Sequence, residues 1–499
     1  MSSYAVNRIV IVGGGTAGWM TAAGLARHFA KTSIQLTVVD SSAIGTVGVG
    51  EATIPTLRRF YAELGMSDND VLRQTLGTVK LGIEFRDWFL PGRRFIHPFG
   101  GFGQAANGVA FHHYWMKAKQ LGSDCDLTDY SLGLQLAKHH KFNPPSATPR
   151  SELSIFDWAL HFDAAKFAQL MRNYAVERGV THIDNRITGV SQHPDGNISQ
   201  LHLENGQIIA GDLFIDCSGF AGLLIDKTLH TPYISWSQWL RCDSAVAVQT
   251  ALTEEVAPYT ISQAHSGGWQ WRIPLQHRQG NGMVFSSTFI DAAEAEKNLF
   301  NNLAGKPISE PKKFSFTPGR REKAWHKNCI AIGLASGFLE PLESTSIALV
   351  ENAIEKIRRA FRHPFYTPAD VENFNQLTAA EYERVRDFII LHYKANQRRG
   401  DPLWDYCRTM EIPDTLQKKI DTFIQTGDLI RYPVDMFGSP SWLAIFKGFA
   451  IMPRTIHPGV DRLQDDYLLA SLKAMRQSIA QAVDEAPTHS QYLQDYCAV

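Results

Sequence analysis

Nowhere do the 499 residues offer eighteen uncharged apolar positions in a row, the length a helix needs to cross a bilayer. A membrane-spanning role is therefore not expected. No charge of one sign dominates: 49 Lys and Arg stand against 50 Asp and Glu, a formal net charge of -1. That balance argues against electrostatic capture of nucleic acid or of an anionic lipid surface. Cysteine is scarce and scattered (Cys125, Cys217, Cys242, Cys329, Cys407, Cys497), with no C-x-x-C among the six. Neither a disulfide framework nor a metal site is expected, and the thiols read as those of a reduced, cytoplasmic protein. MSSYAVNR leads straight into IVIV, so no secretory leader is expected. Internal repeats, low-complexity tracts and flexible linkers are likewise missing. What remains is a 44% hydrophobic chain, long enough for two or more structural units with a sizeable core.

The first forty residues carry the clearest local pattern. Ile9 to Val12 is a β-branched run suited to a buried parallel strand. GGGTAGWMTAAGLARHFA follows, placing Gly13, Gly15 and Gly18 in G-x-G-x-x-G spacing ahead of Ala-rich helical sequence. Leu36 to Val39 is a second strand, closed by Asp40 twenty-two residues after Gly18. Strand, glycine turn, helix and acidic strand end together predict a dinucleotide-binding βαβ unit. The glycines admit a pyrophosphate to the backbone, the helix start supplies N–H donors, and Asp40 accepts from a ribose hydroxyl. This fingerprint does not separate FAD from NAD. Downstream, GQIIAGDLFIDCSGF gives two short strands and a Ser218-Gly219 turn behind Asp216. With no second complete glycine fingerprint, one tightly held dinucleotide is the economical reading.

Several later segments bear chemistry. In ASGFLEPLESTSIALVENAIEKIRRAF, Ile347, Val350, Ile354, Ile357 and Phe361 recur at helical steps. Glu343, Ser344, Thr345 and Ser346 then fall at a helix start, where backbone N–H groups favour a small anion and a carboxylate can act as acid or base. Ordinary N-terminal capping explains the same residues. Lys80, in LGTVKLGIEF, lies between apolar neighbours. It is either a snorkelling surface lysine or a buried amine whose ammonium form is disfavoured by desolvation. His97, Phe99 and the FHHYW cluster supply rings for packing a core or a flat substrate. In GGWQWRIPLQ, Trp269, Trp271 and Ile273 share one strand face while Gln270 and Arg272 take the other. A return strand over Met283 to Phe289, after a Gly-Asn-Gly turn, is expected to pair with it. Three helices are expected at Ala379 to Asn396, Asp414 to Thr426 and Arg462 to Val483.

Together, G-G-G-T-A-G-W, Gly48-Val-Gly-Glu-Ala-Thr-Ile-Pro55, Lys80, Gly268-Trp-x-Trp-x-Ile-Pro274 and Pro341-Leu-Glu-Ser-Thr345 resemble the flavin-dependent halogenases of the tryptophan-halogenase family. The resemblance runs in order over most of the chain. It implies an α/β fold: a Rossmann-like FAD-binding domain of the flavin monooxygenase/halogenase type with a mostly α-helical substrate-covering region. It divides the chain into a core at 1–350, with residues near 95–165 reaching the substrate site, and a helical region at 351–499. Reduced FAD from a separate NAD(P)H-dependent flavin reductase would react with O₂ to a flavin hydroperoxide. Halide, chloride or bromide, would then be converted to hypohalous acid. Lys80 and Glu343 would direct that oxidant onto an electron-rich arene.

By the same resemblance Gly13, Gly15, Thr16, Ala17, Gly18 and Asp40 would hold the ADP half of FAD. Gly48, Val49, Gly50, Glu51, Ala52, Thr53 and Ile54 would pass the flavin ring, with Gly333, Ser344 and Ile347 completing the contacts. Thr345 and Ser346 would take the halide. Trp269, Trp271, Ile273 and Pro274 would line the flavin chamber and the mouth of a tunnel, and no metal is implied. Ser346 stands where many members have glycine, which leaves chloride against bromide open. MFGSPSWLAIFKGFAIMP lacks the Tyr and Glu set with which tryptophan-specific members grip an amino acid. Indole or another small indole-bearing or phenolic arene is therefore expected, packed against His97, Phe99, Phe111 and Trp442. The competing expectations are an aromatic hydroxylase and a flavin-binding redox module without turnover. A homodimer is left open.

Overall fold

The computed structural model describes residues 3–44, 50–146, 148–149, 151–252 and 255–497. They form two compact units, each assembled from three stretches of chain. The first takes residues 1–77, 162–244 and 313–383, the second 78–161, 245–312 and 384–499. Both therefore draw on sequence from either side of residue 350, and packing does not follow that boundary.

The first unit is built on a six-stranded sheet ordered Trp325–His326, Cys329–Ala331, Leu213–Asp216, Arg8–Val12, Gln35–Asp40, Thr181–Asp184. Its central pairings are parallel, Ile11 opposite Val38 on one side and Ile215 on the other. RIVIV is buried at every position but its first, as a strand covered on both faces must be. The helix Thr16–His28 follows and packs on Ala164–Glu177. Val10, Val12, Val39, Phe214 and Cys329 share one core cluster with Ile198 and Leu201 of a neighbouring antiparallel sheet. At the end of Leu213–Asp216 the buried Asp216 carboxylate accepts from the backbone N–H groups of Ser218, Leu224 and Ile225. The turn after that strand is thus tied to its own strand end.

The second unit contains strands in the order Ser244–Thr250, Gln279–Phe285, Gly268–Pro274, Thr260–His265, Gly82–Arg86, Arg94–Pro98. The helix Ala292–Asn301 covers Val246, Val248, Met283 and Phe285. A short antiparallel pair sets Lys80 opposite Ala159 and Thr78 opposite His161. The C-terminal third is helical as expected, with Asp414–Thr426, Ser439–Gly448 and Asp465–Glu485 among its elements.

One sequence expectation fails here. The strand returning along GGWQWRIP is Gln279–Phe285, and Gly280-Asn281-Gly282 lies inside its ladder instead of forming the turn. The reversal comes earlier, where Leu275 N–H donates to the Arg278 carbonyl at 2.9 Å. Gly282 faces Trp271 across the ladder, and a Cβ there would overlap the indole ring. That glycine is spent on clearance for a tryptophan, not on a turn.

Candidate active site

The dinucleotide end is shaped by glycines. Gly13 adopts φ +108°, a conformation that side-chain-bearing residues rarely take. A Cβ on Gly13 would overlap the Cys217 carbonyl, and one on Gly18 would overlap Gly13's own carbonyl. Gly15 has open space around it and forms the N-cap of Thr16–His28 with no side-chain cap. The first N–H groups of that helix are left for a ligand, and their dipole favours an anion. Asp40 closes the next strand, with Oδ2 against Gly14. This donor set, clearance and acid fit the ADP half of FAD.

The sequence reading missed what holds Asp40. His182 Nε2 donates to Asp40 Oδ1 at 2.7 Å, and Arg172 donates to His182 Nδ1 at 3.1 Å. Because Arg can only donate, the His182 proton sits on Nε2. His182 is one strand over from Asp40, paired with Val38, a relation that local patterning does not reveal.

Gly48 and Val49 lie outside the described residues. Gly50–Ala52 forms a short strand, and Ala52, Thr53 and Ile54 are buried. Desolvation pushes the Glu51 carboxyl up to about 7. Gly333, at φ +66°, sits against Ala17 and brings a second backbone turn to the first helix. Pro341–Glu343 is one 3₁₀ turn, Ser344 turns left-handed at φ +59°, and a helix then runs Ser346–Ala360. Thr345 is its N-cap and makes no side-chain cap. Its Oγ1 is buried and, among the described residues, has no hydrogen-bond partner. Ile347 and Glu343 are buried, as is Glu340 three residues earlier. This site thus offers N–H groups, a hydroxyl and a carboxyl within one turn of chain.

The second unit holds the other half of the expected residues. Lys80 is fully buried, which rules out a surface role. Its Nζ lies 5.1 Å from the Phe99 ring centroid, within cation–π range. His97 packs on Phe99 (6.3 Å), Phe388 (5.8 Å) and Phe437 (6.2 Å), and Phe388 lies 4.9 Å from Trp442. Lys80, His97, Phe99 and Trp442 are therefore brought into one aromatic wall. Phe388 and Phe437, stacked at 4.0 Å, complete it and were not expected. Phe388 is one buried position among many in the long helix Pro368–Lys394. Phe111 packs on Tyr130 instead, centroids 5.0 Å apart and planes tilted by 57°.

Trp269 is core: it packs on Trp88, which meets Tyr393 and Trp404 at 5.3 and 5.1 Å. Trp271 is half-buried and tilted 58° from it. Ile273 and Pro274 are buried. The Pro274 carbonyl accepts from the Thr78 hydroxyl at 2.8 Å, joining the tryptophan strand to the strand that ends in Lys80.

One unit thus carries a parallel-sheet dinucleotide fold and the other a buried lysine against an aromatic wall, the features of a dinucleotide-dependent enzyme. Comparison with known proteins makes this specific. Residues 8–465 match the tryptophan halogenase family. Tryptophan 6-halogenase SttH of Streptomyces toxytricini is 33% identical over 99% of this chain and 98% of its own. Tryptophan 7-halogenase RebH of Lentzea aerocolonigenes is 33% identical over 86% and 83%. Among solved structures, BrvH, a flavin-dependent halogenase from Brevundimonas sp. BAL3, superposes with TM-score 0.95 at 50% identity, covering 98% of this chain and 99% of that one. The chain belongs to the tryptophan halogenase family. It is a flavin-dependent halogenase, an enzyme that uses FADH₂, O₂ and halide and draws its reduced flavin from a partner reductase.

Proposed function

We propose that this enzyme halogenates a neutral, indole-type arene held beside Lys80. The observation that carries the reading is a fully buried lysine facing a wall of rings. Bound FADH₂ supplies the reducing equivalents with which O₂ converts halide to hypohalous acid. Gly13, Gly15, Gly18 and Asp40 hold its ADP half, while Glu51 to Ile54, Gly333, Ser344 and Ile347 flank its ring. The N–H groups at Thr345 and Ser346 hold halide, since a halide needs donors and no covalent partner.

Lys80 fixes the electrophilic halogen in position, as hydrogen-bond donor or as amine. His97, Phe99 and Trp442 hold the arene flat, with Phe388 and Phe437 behind them. Glu343, buried two residues before Thr345, is the acid–base residue of the halide turn. The buried cations near this wall are already paired, Lys419 with Asp435 and Arg386 with Asp387. That pairing supports an arene without a zwitterionic head.

The test supplies an NAD(P)H-dependent flavin reductase, NADH, bromide and indole, and looks for a monobrominated product by mass spectrometry. Lys80→Ala should bind FAD normally and lose product by about 10²-fold or more. A Lys80→Ala enzyme of undiminished activity would overturn the mechanism.

A further inference from the structure

The strand bearing Lys80 has three residues, Thr78–Lys80, too few for its own ladder to hold a catalytic side chain rigidly. Two histidines do the rest. Thr78 Oγ1 lies 2.8 Å from the Pro274 carbonyl and 2.8 Å from His161 Nδ1. A carbonyl only accepts, so the single hydroxyl proton points at Pro274 and the Thr78 oxygen accepts from His161 Nδ1–H. In the neutral ring His161 Nε2 is the acceptor, facing the Thr260 hydroxyl at 2.9 Å. On the next residue, Val79 N–H donates to His489 Nε2 at 3.2 Å, and His489 Nδ1–H donates to the Val256 carbonyl at 2.8 Å. Both rings are fully buried and both carry a proton on Nδ1, and at His489 the Val79 N–H also requires the ring to be neutral.

We infer that His161 and His489 are positioning residues for halogen transfer, clamping the Lys80 strand from its two preceding residues through one fixed imidazole tautomer. This rests on the reading that Lys80 handles the oxidant.

Protonation defeats the two clamps differently. At His489 it sets a ring N–H against the Val79 backbone N–H, and a backbone donor cannot turn away. At His161 the Thr260 hydroxyl can rotate to accept, so the cost is a second positive charge near Lys80. The titratable groups facing His161 are Lys80 and His489. His489 faces His140, which itself meets the Tyr259 hydroxyl at 3.1 Å and Glu255 at 3.9 Å. Burial holds both rings below the ordinary histidine range, His489 down to about 4. The clamp is therefore intact at neutral pH.

The deciding experiment compares His161→Leu, His161→Gln, His489→Leu and His489→Gln with Lys80→Ala in the bromide–indole assay. Product is measured per FADH₂ supplied, with FAD binding and melting temperature recorded for each protein. A glutamine amide offers an NH₂ donor group and a carbonyl acceptor, the two kinds of partner the neutral ring supplies. The leucine variants should lose product on the order of tenfold to a hundredfold, as misplacement of a reacting group predicts. The glutamine variants should recover most of it at comparable melting temperature. Leucine variants with wild-type product, or glutamine variants as impaired as leucine ones, overturn the inference. If Lys80→Ala itself stays active, the reading of Lys80 fails instead, whatever the histidine variants do.

Discussion

Glu351 sits one helical turn beyond Ile347, buried, with Oε2 accepting from the Thr56 hydroxyl at 2.6 Å. Desolvation pushes its carboxyl up to about 8. The folded protein thus keeps a proton that the unfolded chain releases near 4.5, so this residue costs stability progressively as pH rises from 4.5 to 8. Above 8 both states are ionised and the cost levels off. Glu351→Gln should match wild type in acid and gain on it through that window. The slope should be about 1.4 kcal/mol per pH unit at most, read from urea unfolding at several pH values. A constant difference across the window would show that Glu351 is ionised in the fold. The buried histidines tilt the other way. His113 and His489 are pushed down to about 4, so their contribution is present above 6.5 and is lost as pH falls from there toward 4.

At the scale of elements, the hairpin Gly268–Pro274/Gln279–Phe285 sets Trp271 over Gly282. Gly282→Val should push the indole from its place and cost about 1–3 kcal/mol. Denaturant unfolding measures that cost, and Gly280→Ala serves as a comparison in the same strand. Equal stability of wild type and Gly282→Val would mean that the ring has somewhere else to go.

The same hairpin shows where sequence reading succeeds and stops. Alternation made the strand face legible, because period two is a local property. Gly-Asn-Gly looked like a turn, because turn signals are also read locally. Only the cross-strand partner reveals that one glycine is a gap for a ring. The glycine turn, Asp40 and the Ser346–Ala360 helix were legible for the same reason as the strand face. His182, Phe388, Phe437, His161 and His489 were not, since each acts on residues brought to it by distant chain.

For the whole molecule, the six cysteines are all free and buried. A maleimide should label the native protein slowly and the urea-unfolded protein at six sites, and dithiothreitol should leave the melting temperature unchanged. Rapid labelling of the native state would mean that the fold opens readily around them. Among the described residues no helix is long and apolar enough to cross a membrane, in keeping with the low apolar run length of the sequence.

The chain crosses between its two compact units five times, at 77/78, 161/162, 244/245, 312/313 and 383/384. Recombination among halogenases meets this directly. A single crossover, wherever it is cut, leaves at least one unit assembled from two parents. To exchange the lysine-bearing unit intact, a gene designer must splice at all five junctions and keep each parent's complementary packing within its own unit. If the arene lies against the aromatic wall as proposed, point changes around Trp442 and Phe437 are the shorter road to a new arene preference.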